Sequence, residues 1–334
     1  MKKPTIGAVL ISKNEETLIG DCLKSLRELD EIVLLDTGSS DGTLRIAEEL
    51  GFPNLHTHSE KFEDPFHFAN ARNAAAEFAT SDWLLSVDCD ERLADGSERT
   101  LRASIATADR LKANAGTVRF RNTEEREYNR RIVWKRKLWE WRFRIHEELI
   151  PLEEKKALVH VIKDAFIFHV PKSPEKIEER RKQNLELLLE EVQVDPSHIA
   201  AHWNLGMEFY GMGNYRGCIR ELRRWLSSAQ CTDMDSSQAH LTIGWAFRDM
   251  GMQSEAVAAF QAANRCCPAR REPLIAIGAH LAKTGRLREA EKEFAAACAI
   301  KSAPDYAFND RAAYSNAPEV ALATIRDEIS RLGS

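Results

Sequence analysis

Two aspartates one residue apart, Asp88 and Asp90, follow the apolar run that begins at Trp83 and are well suited to bind a cation. Carboxylate oxygens are the ligands that hard divalent ions prefer, and such an ion can neutralise a phosphate leaving group. Acidic residues are also common where any strand meets water, so the pair by itself leaves both interpretations open. The surrounding elements and motifs must distinguish them.

Strand-like and helix-like segments alternate through the first half of the chain. Apolar, β-prone runs at 6–11, 32–35, 54–58 and 83–87 are separated by helical patterns at 15–26, 44–50 and 68–78. This alternation predicts a mostly parallel, Rossmann-like α/β sheet with right-handed crossovers. Ligands bind such sheets beyond the carboxyl ends of the strands. We therefore expect the polar clusters at 12–16, 36–41 and 88–91 to converge on one edge.

Three sequence stretches stand in order between Thr5 and Glu91: V-L-I-S-K-N-E-E, then E-I-V-L-L-D-T-G-S-S-D-G-T, then the A-R-N element leading to S-V-D-C-D-E. Their order and spacing resemble the family 2 glycosyltransferases of the GT-A fold. The resemblance implies an inverting transfer of a sugar from a nucleotide-sugar, with a UDP-linked donor as the expectation. It also implies a divalent ion, Mn²⁺ or Mg²⁺, at the D-x-D pair.

The residues expected to bind the nucleotide lie at these strand ends. Asp36 can accept a hydrogen bond from a uracil N–H or a ribose hydroxyl. By resemblance, Ser12, Asn14 and Glu15 wall the same pocket. Arg72 matches the arginine of the family's A-R-N element, where a planar cation can hold base or phosphate oxygens. A salt bridge that orders the sheet edge is the alternative role for Arg72.

The resemblance also assigns the metal ligands. Asp90 would ligate the ion directly, and Asp88 would contact the ribose or a metal-bound water. His169, in I-F-H-V-P-K, would supply a third ligand, although a histidine after an apolar strand is commonly structural. One departure stands at 66–69, where F-H-F-A replaces the D-D-F-S of many relatives.

A basic block with three tryptophans runs from 130 to 149 and contains an H-E pair at 146–147. Its composition allows binding to nucleic acid or an anionic membrane, or an antiparallel strand pair with a basic outer face. By resemblance, its cations Lys135 and Arg144 lie near the diphosphate, and the H-E pair enters the acceptor site. We expect Glu147 to deprotonate the acceptor while His146 orients it, although either residue has suitable chemistry.

From about residue 176 the pattern becomes nearly all helical and repeats every 34 residues. Six positions recur, five of them with the same residue: Gly244, Gly251, Ala256, Phe260, Ala263 and Pro268 precede Gly278, Gly285, Ala290, Phe294, Ala297 and Ser302. This period resembles tetratricopeptide repeats, with copies near 198–231, 236–268 and 271–304 and a capping helix after Asp305. The chain is thus predicted to have a GT-A domain at 1–175 and a repeat domain at 176–334.

Composition limits the kinds of partner and the cellular compartment that we expect. The formal net charge of −5 gives no general reason to expect nucleic acid. Seven cysteines without a C-x-x-C favour reduced thiols and a cytoplasmic location. No apolar run is long enough to span a bilayer, and a peripheral position on the inner face of a membrane stays open. The repeats offer an extended surface for a peptide, a protein or a second copy.

Two other functions compete with the glycosyltransferase. A sugar nucleotidyltransferase would need a glycine-rich phosphate loop after the first strand, and S-K-N-E-E holds no glycine. A non-catalytic scaffold would use only the repeats, with the first half as a relic; the intact Asp36, Arg72, Asp88 and Asp90 argue against this. Peptide and saccharide acceptors, including a lipopolysaccharide core, both remain open.

Overall fold

The structure, a computed structural model, describes residues 3–62, 66–121, 127–153, 156–171, 174–228, 231–304 and 310–332. The chain divides into two compact units, 1–177 and 178–334. Among these described residues, the strands lie in the first unit, and the second unit is helical. This confirms the predicted order of a mostly parallel α/β domain followed by an all-α repeat domain.

The first unit is built on an eight-stranded sheet in the order β3-β2-β1-β4-β7-β6-β10-β5. The strands are β1 (Ile6–Ser12), β2 (Glu31–Asp36), β3 (Leu55–Ser59), β4 (Trp83–Ser86), β5 (Glu91–Leu93), β6 (Ala115–Arg121), β7 (Glu127–Lys135) and β10 (Val159–His169). A separate hairpin pairs β8 (Trp139–Arg142) with β9 (Glu148–Pro151). Strands β1 to β4 run parallel, β6 and β10 run parallel, and β7 is antiparallel to both β4 and β6.

Four helices accompany this sheet: α1 (Ile19–Leu26), α2 (Thr43–Glu49), α3 (Phe68–Phe78) and α4 (Ser97–Arg110). Helix α1 shows why the sequence pattern predicts the first three of them. Its buried residues, Ile19, Cys22, Leu23 and Leu26, recur at the spacing of one helical face. All six residues of β2 are buried, as expected of a central parallel strand with both faces covered.

The strand register brings the predicted polar clusters to one edge. Ser12, at the end of β1, lies opposite Asp36 at the end of β2. Val9 of β1 pairs with Ser86, the last residue of β4. The D-x-D pair therefore emerges beside the ends of β1 and β2, because parallel strands finish at the same edge. We call this edge, with Ser12, Asp36 and residues 86–91, the upper edge.

The second unit consists of helix pairs. Its helices are α5 (Pro174–Val194), α6 (Ile199–Gly211), α7 (Tyr215–Leu226), α8 (Asp233–Asp249), α9 (Gln253–Cys266), α10 (Arg271–Lys283), α11 (Leu287–Ala299) and α12 (Ala317–Leu332). A Cβ at Gly244 would lie 2.4 Å from the Phe260 ring, and one at Gly278 would lie 3.1 Å from Phe294. Helices α8 and α9 therefore cross closely at Gly244, and α10 and α11 do so at Gly278.

Two details of the repeat prediction touch residues that the structure does not describe. Residues 229–230, at the end of the first predicted repeat, lie outside the described residues. So do 305–309, where the capping segment was predicted to begin. Beyond them, a short 3-10 helix (Arg311–Tyr314) and α12 follow.

Candidate active site

Arg72 links the elements of the upper edge. It lies on α3 and is 6% exposed. Its Nη2 donates to Asp88 at 2.6 Å and its Nη1 to the Ser86 hydroxyl at 3.0 Å. Its Nε donates to Glu147, and the guanidinium carbon lies 5.2 Å from the centroid of the Trp141 ring. One planar cation thus joins α3, the D-x-D turn and the loop after β8.

Two carboxylates stabilise the charged form of Arg72. Burial by itself would lower the pKa of the guanidinium, but the negative charges of Asp88 and Glu147 raise that pKa above its ordinary value. Arg72 is therefore a permanent cation with a fixed orientation. A group of this kind can present charge to an anionic ligand without reorganising.

The D-x-D pair lies in a turn that Glu91 holds together. The Glu91 amide donates to the Asp88 carbonyl, and the Asp88 amide donates to the Glu91 carboxylate, both at 2.9 Å. Arg130 donates to the other carboxylate oxygen at 2.7 Å. Burial, with the nearby Asp88 charge, raises the pKa of Glu91 to about 7, while Arg130 opposes this shift. Sequence reasoning missed Glu91 and Arg130; the fourth letter of D-C-D-E was the available signal.

Asp90 and His169 meet at the end of the sheet. His169 Nε2 lies 3.1 Å from an Asp90 carboxylate oxygen. Antiparallel pairing of β5 with β10, His169 opposite Glu91, brings them together. The Asp90 side chain is 4% exposed and that of His169 is 35% exposed, so this pair faces solvent on the imidazole side. One carboxylate and one imidazole are common metal-ligand types.

The described residues do not form a complete metal cage. Within them, no group of three His, Cys, Asp or Glu side chains is placed to hold an ion by itself. Asp90 and His169 could supply two ligands. An ion there would need its remaining ligands from a substrate or water, which is usual for ions that work on phosphates.

Asp36 lies at the upper edge, as expected, but its carboxylate accepts hydrogen bonds from the loop that follows it. One oxygen accepts from the Ser12 hydroxyl at 3.3 Å and from the Ser39 hydroxyl. The other accepts from the amides of Gly38 at 3.1 Å and Ser39 at 2.9 Å. A carboxylate has about four acceptor positions. A base or ribose donor would therefore have to replace one of the two serine hydroxyls.

Asn14 and Glu15 tie the loop after β1 to the loop after β2. Asn14 has a left-handed backbone, with φ of 56°. Its amide donates to the Ser39 hydroxyl at 2.9 Å, and its side-chain oxygen accepts from the Ser40 amide at 2.8 Å. The Glu15 amide donates to the Thr43 hydroxyl at 2.8 Å. The two loops thus form one wall of the upper edge.

The loop that carries the H-E pair is strained and held against α3. Phe143 and His146 both have positive φ, 73° and 52°, a conformation that costs free energy for residues with a Cβ and clusters at functional sites. The Arg144 carbonyl accepts from the Phe68 amide at 2.9 Å. His146 is exposed, whereas the Glu147 side chain is 12% exposed. The H-E pair therefore borders the Arg72 cluster.

The family match follows this geometry. Residues 8–172 match the family model described as "Glycosyl transferase family 2". The N-terminal unit is a family 2 glycosyltransferase domain. The resemblance drawn from the strand-end motifs is thus confirmed. The upper edge of this glycosyltransferase domain holds the residues that its motifs singled out.

Named relatives match parts of the chain. A TPR repeat-containing protein of Synechococcus elongatus is 38% identical over 120 residues, 36% of this chain and 28% of that protein. The lipopolysaccharide core biosynthesis glycosyltransferase LpsC of Rhizobium meliloti is 30% identical over 113 residues, 33% of this chain and 40% of that protein. The chain thus spans less than half the length of either relative.

The solved structures that are similar to this chain include S. aureus TarS 1–349 in complex with UDP-GlcNAc. It has 13% sequence identity and a TM-score of 0.45, over 78% of this chain and 90% of that one.

Lys135 does not reach the upper edge of the glycosyltransferase domain. It ends β7 and lies opposite Trp83, the first residue of β4. Because β7 runs antiparallel to β4, its last residue lies where β4 begins. The Lys135 ammonium lies 2.6 Å from Asp109. The three tryptophans of the basic block, Trp134, Trp139 and Trp141, are buried at 1%, 5% and 5% exposure, so they are not a stacking platform.

Proposed function

We propose that the protein transfers a sugar from a UDP-linked donor to an acceptor hydroxyl, with inversion and with the help of Mn²⁺ or Mg²⁺. The observation that carries this proposal is the upper edge. There the buried Arg72 cation contacts Asp88, and Asp90 meets His169 at the end of the neighbouring strand. Such an edge offers a fixed cation and two ligand types to a nucleoside diphosphate.

The loops after β1 and β2 would receive the base and ribose. Asp36 accepts a donor from the nucleotide once the Ser12 hydroxyl, the longest of its hydrogen bonds, rotates away. Asn14 and Glu15 maintain the wall beside it through the two-loop contacts. Arg144 stands in the loop beside Arg72, where a second guanidinium can meet the diphosphate.

The metal ion would be held by Asp90 and His169, with Asp88 orienting a bound water or the ribose. When bound, a divalent ion neutralises the diphosphate that leaves. A nitrogen ligand suits Mn²⁺ better than Mg²⁺, which prefers oxygen. We therefore favour Mn²⁺.

Glu147 is our proposed base. The acceptor oxygen forms a bond to the anomeric carbon while the bond from that carbon to the diphosphate breaks, and the acceptor proton passes to Glu147. One Glu147 oxygen accepts from Arg72, which fixes the carboxylate in place for the transfer. His146, exposed on its left-handed backbone, orients the acceptor. A saccharide acceptor is favoured by the likeness to LpsC, and a peptide is the alternative.

A donor panel tests the proposal. Purified protein with Mn²⁺ should bind and slowly hydrolyse at least one nucleotide-sugar, and Asp90→Ala should abolish hydrolysis. Asp95→Ala, at an exposed aspartate five residues further along the chain, is the matched control and should retain it. If no donor binds or turns over, the enzyme proposal is wrong and a scaffold role is favoured.

A second comparison separates the two members of the H-E pair. Glu147→Gln should lower turnover with an acceptor by about 10²-fold or more while donor binding persists. His146→Asn should raise the KM for the acceptor more than it lowers kcat. The reverse pattern would assign the base to His146.

A further inference from the structure

Exposed leucines cluster at the edge of the glycosyltransferase domain opposite the upper edge. Leu111 follows α4, Leu138 follows β7, Leu152 follows β9 and Leu158 precedes β10. Their exposures are 59%, 45%, 52% and 48%. Parallel strands β1 and β4 begin at this edge, whereas the candidate active site lies where they end.

Backbone hydrogen bonds connect the segments that carry three of these leucines. The Leu152 amide donates to the Leu138 carbonyl at 3.0 Å, and the Leu138 amide donates to the Lys135 carbonyl at 3.2 Å. The Lys135 amide donates to the Asn114 carbonyl, and the Asn114 amide to the Leu158 carbonyl, both at 2.9 Å. Leu111 stands three residues before Asn114. The four exposed leucines therefore lie on connected segments at one edge of the sheet.

Cations are interleaved with these leucines. Four basic residues of this region are exposed: Arg110, Lys112, Lys137 and Lys156. Of three acidic side chains described in this region, two pair with cations, Asp109 with Lys135 and Glu153 with Lys156, and Asp82 accepts a hydrogen bond from Thr5. Arg110, Lys112 and Lys137 thus outnumber Asp82 among the remaining charges. The local excess of positive charge contrasts with the net charge of −5 for the whole chain. We call the surface formed by residues 110–112, 137–138, 152 and 156–158 the basal edge.

Two of the basal lysines occupy unusual backbone positions. Lys112 has φ of 59° and Lys137 has φ of 65°, a region in which glycine is the usual residue. Each lysine is next to an exposed leucine in sequence, Leu111 in one turn and Leu138 in the other. Both tight turns therefore present a cation and an apolar side chain side by side.

We propose that the basal edge docks on a bilayer that contains anionic phospholipid. Exposed apolar residues that enter the headgroup region, together with cations that meet lipid phosphates, are the combination that peripheral attachment requires. In the described part of the chain no helix has the length and apolarity to cross a membrane. The charge pattern favours an anionic plane over a neutral apolar partner.

The attachment would hold the active site above the membrane. Strand β1 contains seven residues between the two edges, which correspond to about 20 Å at the rise of a β-strand. The upper edge would face water, where a nucleotide-sugar is dissolved. The acceptor group must then project by a similar distance from the lipid surface or be dissolved itself.

Vesicle flotation tests the apolar part of the basal edge. The full chain should bind vesicles of phosphatidylcholine with about one third phosphatidylglycerol, and not phosphatidylcholine alone. The double variant Leu138→Ser/Leu158→Ser should bind about tenfold or more weakly. The matched control Leu189→Ser/Leu332→Ser changes two exposed leucines of the helical unit, 43% and 75% exposed, and should bind as wild type.

The lysines allow a variant that should fold well. Lys112→Gly/Lys137→Gly removes two charges and places glycine where φ is positive, so thermal stability should not fall. Anionic vesicle binding should weaken about tenfold or more, because each basic residue near such a surface contributes. Lys112→Arg/Lys137→Arg should restore binding.

Three results would overturn the proposal: no binding to anionic vesicles, equal binding to neutral and anionic vesicles, or equal loss in the control variant. Sedimentation velocity supplies a further arm. If Leu138→Ser/Leu158→Ser converts a dimer to a monomer without altering vesicle binding, the basal edge is an interface between copies of this chain.

Discussion

Among single residues, Arg72 does most to hold the elements of the site together. Its three donor groups contact Glu147, Ser86 and Asp88, and its own exposure is 6%. The structure therefore shows the salt-bridge role that the sequence offered for Arg72. Contact of its guanidinium with a nucleotide stays a prediction.

Removing this cation should be costly. We expect Arg72→Ala to lower the free energy of unfolding by about 3 kcal/mol, because Glu147 and Asp88 lose their buried partner. Arg72→Lys should recover part of this stability but little donor binding, since an ammonium cannot contact all three groups at once. Urea unfolding and donor titration check this. A loss below about 0.5 kcal/mol in Arg72→Ala would contradict the role given to Arg72.

Side-chain roles were less predictable than residue positions. The strand-end motifs predicted that Asp36, Arg72, Asp88 and Asp90 share one edge, because parallel strands end together. They could not predict that the loop at 37–39 would occupy the Asp36 carboxylate, since hydrogen bonds within a loop depend on its backbone conformation. The sequence pattern also offered no reason to pair Glu91 with a cation nearly forty residues later.

At the scale of helices and strands, local periodicity predicts the bounds of the elements well, but it does not predict the direction of a strand. Helix α3 has the predicted bounds, 68–78, and β1, β2, β3 and β4 lie within a residue or two of theirs. The position of Lys135 depends on β7 running antiparallel to β4, a non-local pairing that alternation of residues along β7 does not encode. The resemblance therefore placed Lys135 near the diphosphate, whereas the structure places it at the opposite edge, beside Trp83.

The repeat crossings allow a matched test between helices. Gly244→Ala should lower the stability of the repeat unit by about 1–3 kcal/mol, because its Cβ would lie 2.4 Å from the Phe260 ring. Gly278→Ala places its Cβ 3.1 Å from Phe294. Its smaller clash should be largely offset by the helix preference of alanine, about 1 kcal/mol. Thermal unfolding compares them, and equal losses would contradict the close crossing at Gly244.

A buried carboxylate in the first repeat should give a pH signature. Burial opposes ionisation of Glu221, but hydrogen bonds from Arg220 and His202 hold the pKa of Glu221 below its ordinary value of 4.5. A pKa lowered by folding stabilises the fold above the ordinary value, and this stabilisation is lost as the pH falls through the folded pKa.

Glu221→Gln removes that contribution. The difference in Tm between wild type and Glu221→Gln should be large at neutral pH and should shrink between about pH 5 and 3. A difference that stays constant over this range would mean that Glu221 is not held ionised by its neighbours.

At the scale of the whole molecule, each unit has its own core. The hydrophobic cluster of the glycosyltransferase domain runs from Ile6 to Ile167, within residues 1–177. The site residues from Ser12 to His169 fall in the same unit. The repeats therefore contribute no residue that our donor-site proposal requires.

A fragment of residues 1–177 should consequently bind nucleotide. We expect its affinity for UDP with Mn²⁺ to be within about threefold of the full chain, since intact domains retain their own sites. Calorimetry on both proteins measures this. Circular dichroism shows whether the fragment is folded. A folded fragment that fails to bind UDP would show that the donor site needs the helical unit.

The most direct test of the central claim is the metal dependence of nucleotide binding at Asp90. UDP is titrated into wild type, Asp90→Asn and the exposed control Asp95→Asn, each with Mn²⁺ and with a chelator. We predict that Mn²⁺ tightens UDP binding by at least about tenfold in wild type and the control, and that Asp90→Asn loses this gain. Binding that ignores Mn²⁺, or a gain that survives in Asp90→Asn, would contradict a metal-assisted donor site at the upper edge.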